Sequence, residues 1–324
     1  MKAKLIINPT SGRTKRKMPP LLKWTLKKLK NRIINIPKRK TSVGEIIEEV
    51  KKVCEKEKII LDVELTKYPK HAMMMAKKAK NIYDLVIVAG GDGTINEVIN
   101  GINNSKTTLV IIPFGTANVL ALELGIPFNI KESTRLISDG RKIIIDLGYA
   151  KTKNEGRFFS MMLGAGFDAS VINNISTKFK KRWGGLAYYI AGIKHLFSYK
   201  WHNMKIKHEN KKENKNPSEG YLVIIANSKL YAGEYQIADK ADINDGFLDL
   251  IIINRKKFRH IIPIIFSLAI GKMNNFLKGE YKKTKKAHVS SKEKIFVQVD
   301  GELIGTTPVK VKVVPKALKV MVKK

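Results

Sequence analysis

Residues 85–97 read LVIVAGGDGTINE, and the change of texture at Gly90 decides how the chain folds. The run 85–89 is continuously apolar, too short for a typical helix and without alternation, which is the pattern of a strand buried on both faces. Gly90, Gly91 and Gly93 then let the backbone come close to a bulky anion. A helix follows from Thr94, and its first amides are free to meet a phosphate, with Thr94 and Glu97 spaced as a capping box. Asp92 among these glycines suits a phosphate site that works through magnesium. A tight turn with a good cap is the plainer reading of the same residues.

Working outward, residues 4–7, 59–65 and 109–112 form further short apolar runs, and 42–56, 69–80 and 94–103 are long enough for helices between them. Strand and helix alternate, which predicts an α/β domain with a mostly parallel sheet. Ligands of such sheets bind beyond the carboxyl ends of the strands. Two more loops fall there: Asn8, Pro9, Thr10, Ser11 and Gly12 after the first strand, and 113–118 (PFGTAN, containing Thr116) after the fourth. Each loop is a weak signal alone, and the three together point to a nucleotide.

After Asp146 the texture changes to short β-rich pieces at 158–163, 221–226, 248–253, 295–299 and 309–314, the spacing of antiparallel sheets. Helical patterns near 183–197 and 258–272 interrupt them, and the polar stretch 209–220 reads as an exposed turn. With 324 residues, two domains are expected.

Composition narrows the function classes. The lone Cys54 rules out an intrachain disulfide and predicts a reducing, cytoplasmic setting. The longest apolar run, 261–270, is broken by Pro263 and Ser267 and is half the length a bilayer span needs, about 20 residues. The chain enters a strand at residue 4, so no secretory signal is expected. The six histidines show no ligand spacing, and residues 73–75 (MMM) are expected to pack a core face. The net charge of +34 must attract phosphates of some kind. Nucleic acid rests on charge alone, since no zinc finger, aromatic RNA-binding signature or basic zipper region is present. GAGFDA at 164–169 has dinucleotide-fingerprint spacing, yet lysines and an arginine stand where a ribose-binding acid belongs.

NPTSG at 8–12, GGDGTINE at 90–97, PFGTAN at 113–118, GAGFDA at 164–169, DINDGFLD at 242–249 and VDGE at 299–302 occur in one order along nearly the whole chain. In this the sequence resembles the diacylglycerol kinase and sphingosine kinase superfamily, and is most similar to its soluble bacterial lipid kinases. The resemblance implies an N-terminal α/β nucleotide-binding domain with a mostly parallel sheet plus a C-terminal β-sandwich domain. Their expected bounds are 1–145, with a last strand at about 308–324 returning to it, and 146–307. Members commonly have Asp after the third loop's Asn and Arg a few residues on; here Val119 and Leu122 stand there.

The resemblance further implies ATP as co-substrate, Mg2+, and a lipid hydroxyl as acceptor, on diacylglycerol or a similar lipid. ATP is expected on Asn8, Pro9, Thr10, Ser11, Gly12, Thr66, Gly90, Gly91, Asp92, Gly93, Thr94, Ile95, Asn96 and Thr116. A lipid alcohol needs a base, which falls on Glu302, with Asp300 helping to hold the catalytic magnesium beside Asp92. A second, structural magnesium is expected on Asp242, Asp245 and the Phe247 carbonyl, against the alternative of an Asp-Gly hairpin turn. An anionic membrane surface is the expected partner, at the inner face of the membrane; no nucleic acid is expected, and a homodimer is allowed. NAD kinase shares GGDGT and is the rival enzyme. An inactive relative that only binds anionic membranes or nucleic acid is the rival of another class, against which the acids at 92, 300 and 302 argue.

Residues 1–44 carry 14 Lys or Arg and no acid, and 13–40 looks like an insertion. Leu22, Leu26, Leu29 and Ile33 share one helical stripe, with lysines on the other faces. Two readings stand side by side: a helix that recruits the protein to acidic membranes, or one packed on the core with a solvated charged side.

Overall fold

Strand β1 (Lys2–Ile7) has both faces covered, as its apolar run requires, and sits between β2 (Ile60–Leu65) and β3 (Leu85–Gly90), parallel to each. The computed structural model describes residues 1–11, 42–174, 195, 198–209, 217–231, 235–254 and 279–324. Gly12, the basic stretch 13–40 and the helical pattern at 258–272 lie outside the described residues, as does nearly all of 183–197. Helices α1 (Val43–Lys56), α2 (His71–Ala79) and α3 (Asp92–Ile102) alternate with β1–β3 and with β4 (Thr108–Pro113). Short α4 (Val119–Glu123) and α5 (Ile130–Asp139) then lead to β5 (Arg141–Lys151).

The remaining elements are β6 (Gly156–Phe159), β7 (Met162–Gly166), α6 (Phe167–Asn174), β8 (Met204–His208), β9 (Ser218–Gly220), β10 (Leu222–Ala226), β11 (Leu230–Tyr231) and β12 (Tyr235–Gln236). They continue as β13 (Leu248–Ile253), β14 (Glu280–Thr284), β15 (Lys286–Ser291), β16 (Phe296–Val299), β17 (Glu302–Thr306) and β18 (Val309–Val322). The first sheet runs β2-β1-β3-β4-β18-β15-β8-β9, with β5 paired to β18 and β6. It is parallel through β4 and antiparallel from β15 onward. The second, antiparallel sheet runs β14-β13-β10-β7-β16-β17.

Strand β18 joins the halves: Lys319 pairs with Thr108 in parallel, while Lys286 to Val289 pair with its first residues in antiparallel. One core lies under the parallel strands and their helices. A second fills the sandwich between β5, β8, β15 and β18 on one side and β7, β10, β13 and β16 on the other.

Three sequence expectations change in detail. The run 158–163 is two strands, because Asp300 captures the amides of Ser160 and Met161 between them and that of Met162 where β7 begins. The change of texture at Asp146 falls within β5, and the carboxylate there accepts from the amides of Gly246 and Lys316. Of the three methionines, Met75 is in the core, whereas Met74 is 46% exposed. No helix of the described residues is long and apolar enough to cross a membrane.

Candidate active site

The loops after β1, β3 and β4 meet at one edge of the parallel sheet. Asn8 holds the first in place: its amide donates to Ala89 O at 3.0 Å and its Nδ2 to Thr94 Oγ1 at 2.9 Å. Its own Oδ1 accepts from the Thr10 amide and hydroxyl at 3.0 and 2.8 Å, closing an Asx turn. Gly91 and Gly115 come together so closely that a Cβ on Gly115 would lie 2.3 Å from Gly91 Cα. These glycines are required by the contact between two loops as well as by any ligand. Asn118 closes the third loop, accepting from Gly115 N and donating to Gly115 O, each at 3.1 Å. Thr66 carries on the β1–β2 ladder, its amide donating to Ile7 O at 2.8 Å.

Helix α3 starts at the centre of this edge with Gly91 as N-cap, and no side chain caps it. The expected capping box is therefore absent. Thr94 is taken by Asn8, and Glu97 reaches to the neighbouring helix, accepting from the amides of Lys70 at 2.9 Å and Ala72 at 3.1 Å. The spacing was right for a cap, and the helix capped is α2. Among the described residues no side chain caps the first amides of α3, as a phosphate site requires.

Asp92 accepts from the Val119 amide at 2.7 Å. Its carboxyl is pushed up to about 6, by burial above all and also by Asp300, while the amides of Val119, Asn118 and Leu120 pull the other way. The departure at Val119 leaves this contact intact, because the main chain makes it.

Asp300 and Glu302 come from the turn between β16 and β17, over the first turn of α3. A Cβ on Gly93 would lie 2.8 Å from Glu302 Oε1, so the carboxylate rests against the helix N-terminus, where a negative charge is favoured. Glu302 Oε2 pairs with Arg157 Nη2 at 2.7 Å. Arg157 is 7% exposed and its Nε donates to Asn96 Oδ1 at 2.8 Å. Sequence reading missed this residue; the available signal was a lone arginine in the apolar strand GRFF.

Two expectations are revised. Asp300 does not suit a magnesium ligand: Oδ1 accepts from Met161 N and Met162 N, and Oδ2 from Ser160 N, Ser160 Oγ and Asn96 Nδ2. Five donors use up both oxygens, and the group positions the turn. Burial nonetheless raises its pKa, against the pull of those donors. Ile95 faces the core at 1% exposure with its amide bonded to Gly91 O, so it offers a nucleotide nothing. Asn96 is likewise turned inward, toward Asp300, Phe158 O and Arg157.

The loop with Asp242, Asp245 and Phe247 supplies the oxygen donors a magnesium ion takes. Its cation here is Lys283, whose ammonium bonds the Asp245 carboxylate and is raised in pKa by it. Asp242 Oδ1 accepts from Asn244 N at 3.2 Å and Asp245 Oδ1 from Phe247 N at 2.9 Å. An ion there has to displace Lys283, and among the described residues no three acidic, His or Cys side chains gather as a metal group.

Comparison with known proteins gives a consistent picture. The family model for the diacylglycerol kinase catalytic domain matches residues 31–150, and that for the YegS C-terminal NAD kinase beta sandwich-like domain matches 161–322. A diacylglycerol kinase of Staphylococcus saprophyticus is 31% identical over 235 residues, 72% of this chain and 75% of the relative. One from Bacillus subtilis is 31% identical over 229 residues, 70% and 73% of the two chains. The crystal structure of a diacylglycerol kinase from Bacillus anthracis shares the fold, with a TM-score of 0.70 at 24% identity, covering 99% of this chain and 97% of that one.

Proposed function

Because the chain belongs to the diacylglycerol kinase family, we propose that it transfers the γ-phosphoryl group of ATP to the hydroxyl of diacylglycerol or a similar membrane lipid. The family makes it a phosphotransferase with an alcohol acceptor. The observation that carries the finer reading is the Glu302 carboxylate, held by Arg157 over the first turn of α3.

ATP lies across the three loops, with Asn8, Pro9, Thr10, Ser11, Thr66, Gly90 to Thr94 and Thr116 facing it. Its phosphates meet the glycine backbone and the open amides of α3. Asp92 would hold Mg2+ at the nucleotide, and the ion would supply neutralisation of charge on the phosphates. A second ion would be held by Asp242, Asp245 and the Phe247 carbonyl in exchange for Lys283. The lipid oxygen attacks the γ-phosphorus as its bond to the bridging oxygen breaks. ADP leaves with that oxygen, and the hydroxyl proton passes to Glu302, whose Oε1 is the oxygen Arg157 does not hold. Arg157 and Asp300 act on Glu302 from behind, fixing its side chain and its turn.

In the same reading the protein divides at about 145 and 308 into a nucleotide domain and a lipid domain, and works at the cytoplasmic face of an anionic membrane. Incubating it with γ-labelled ATP and a panel of lipids in micelles tests the reading. Label in phosphatidic acid or another lipid phosphate is expected. Label on NAD, with none on any lipid, would overturn it in favour of the NAD kinase alternative.

A further inference from the structure

Strands β8, β15, β18 and β5 lie side by side and bury one face in the sandwich core through Ile206, Ala287, Val289, Val309, Val311 and Ala150. Period two then sends the intervening residues to the opposite face. Register aligns Lys207, His288, Lys310 and Lys151 in a single row across the four strands. A second row aligns Lys286, Lys312 and Tyr149. The lysines of both rows are exposed.

Like charges directly opposite on neighbouring strands destabilise a sheet, so such a row carries a cost that a partner of opposite charge removes. Among the described residues the acids that meet this face, Glu209 beside Lys286 and Glu219 opposite Lys205, sit toward its β8–β9 edge and leave the central row uncompensated. The potential is felt locally: His288 is held below its ordinary pKa by burial and then by Lys310 and Lys207. At its other edge the face reaches the active site. Tyr149 packs on Phe158, and both line a cavity of about 440 Å³ with Lys70, Lys77, Lys80 and the Arg157 that holds Glu302.

We propose that this four-stranded lysine face is the surface by which the protein docks on an anionic phospholipid bilayer. Charge complementarity argues for the occupant: a flat two-dimensional array of flexible ammonium groups matches a plane of headgroups. Nucleic acid would call for a series of aromatic platforms between the cations, whereas the two rows carry a single tyrosine, Tyr149, at the β5 end beside Lys312. A second copy of the same face would repel it. The choice of a bilayer rests on the reading of the protein as a lipid kinase.

The test is sedimentation of the full chain with phosphatidylcholine vesicles, with and without phosphatidylglycerol. The triple variant Lys151→Gln, Lys207→Gln, Lys310→Gln is compared with a control of equal charge, Lys51→Gln, Lys56→Gln, Lys131→Gln. Each lysine near an anionic leaflet is worth roughly fivefold in affinity, so the face variant should bind anionic vesicles about a hundredfold more weakly. The control should bind like wild type, the wild-type binding should fade with salt, and all three proteins should phosphorylate a short-chain, dispersed diacylglycerol alike. Wild-type affinity in the face variant, or equal loss in the control, overturns the proposal. Loss of binding to duplex RNA with vesicle binding intact also overturns it, in favour of a nucleic-acid surface. If wild type sediments as expected but phosphorylates no lipid, the docking surface stands and the lipid-kinase reading fails.

Discussion

Asn96 and Asp300 stand 204 residues apart in the chain, and Asn96 Nδ2 donates to Asp300 Oδ2 at 2.8 Å. Through this bond helix α3 at the glycine-loop edge and the turn that carries Glu302 are fixed to each other. Asn96 also donates to Phe158 O and accepts from Arg157 Nε, so one amide side chain sets both supports of the candidate base.

Replacing Asn96 with Ala leaves a buried carboxylate short of one donor and Arg157 short of an acceptor. Each lost partner of a buried polar group costs about 1–3 kcal/mol. Urea unfolding should show a loss of about 2–3 kcal/mol, and turnover should fall more than the apparent affinity for ATP. A variant as stable and active as wild type would show that the bond is incidental.

Asp92 gives the stability a pH dependence with a definite sign. Its folded pKa of about 6 lies above the ordinary 3.8, so over that interval the native state binds more protons than the unfolded one. Stability then falls as pH rises from about 4 to about 6, and the ionised group costs up to about 3 kcal/mol above that window. Asp92→Asn keeps an acceptor for the Val119 amide and removes this titration. Unfolding at pH 4 and pH 7 should show a shallower loss for the variant, with Asp300 supplying the remaining slope in the same direction. Phosphotransfer should be abolished while the fold is kept; an unchanged slope, or near-normal activity, would refute the assignment.

Lys283 makes the metal expectation testable by competition. Lys283→Met frees the Asp245 carboxylate, so manganese-soaked crystals of the variant should give a stronger anomalous peak between Asp242, Asp245 and the Phe247 carbonyl than wild type does. No peak in either protein would leave the loop as a lysine-closed turn.

Sequence was most informative where physics is local. The parallel strands are continuous apolar runs because both of their faces are covered, and the glycine loops show themselves because no other residue permits the Gly91 to Gly115 approach. What stayed hidden depends on partners far along the chain. Asp300 looked like a metal ligand because its five donors come from 138 to 204 residues away. Glu97 had the spacing of a cap for its own helix, and only packing puts the amides of Lys70 and Ala72 nearer. Arg157 carries no motif at all, and its importance comes from two contacts that the fold creates.

If Glu302 takes the proton of the lipid hydroxyl, Glu302→Gln should lose transfer and keep the fold. Glutamine keeps the size of the side chain and removes the base, a change worth about 10²–10⁴ in rate. Transfer of label from γ-labelled ATP to diacylglycerol should be measured in wild type and variant under single-turnover conditions, beside ATP binding at equilibrium. ATP binding should be unchanged and transfer reduced at least about a hundredfold. Transfer at the wild-type rate by Glu302→Gln would contradict this role of Glu302.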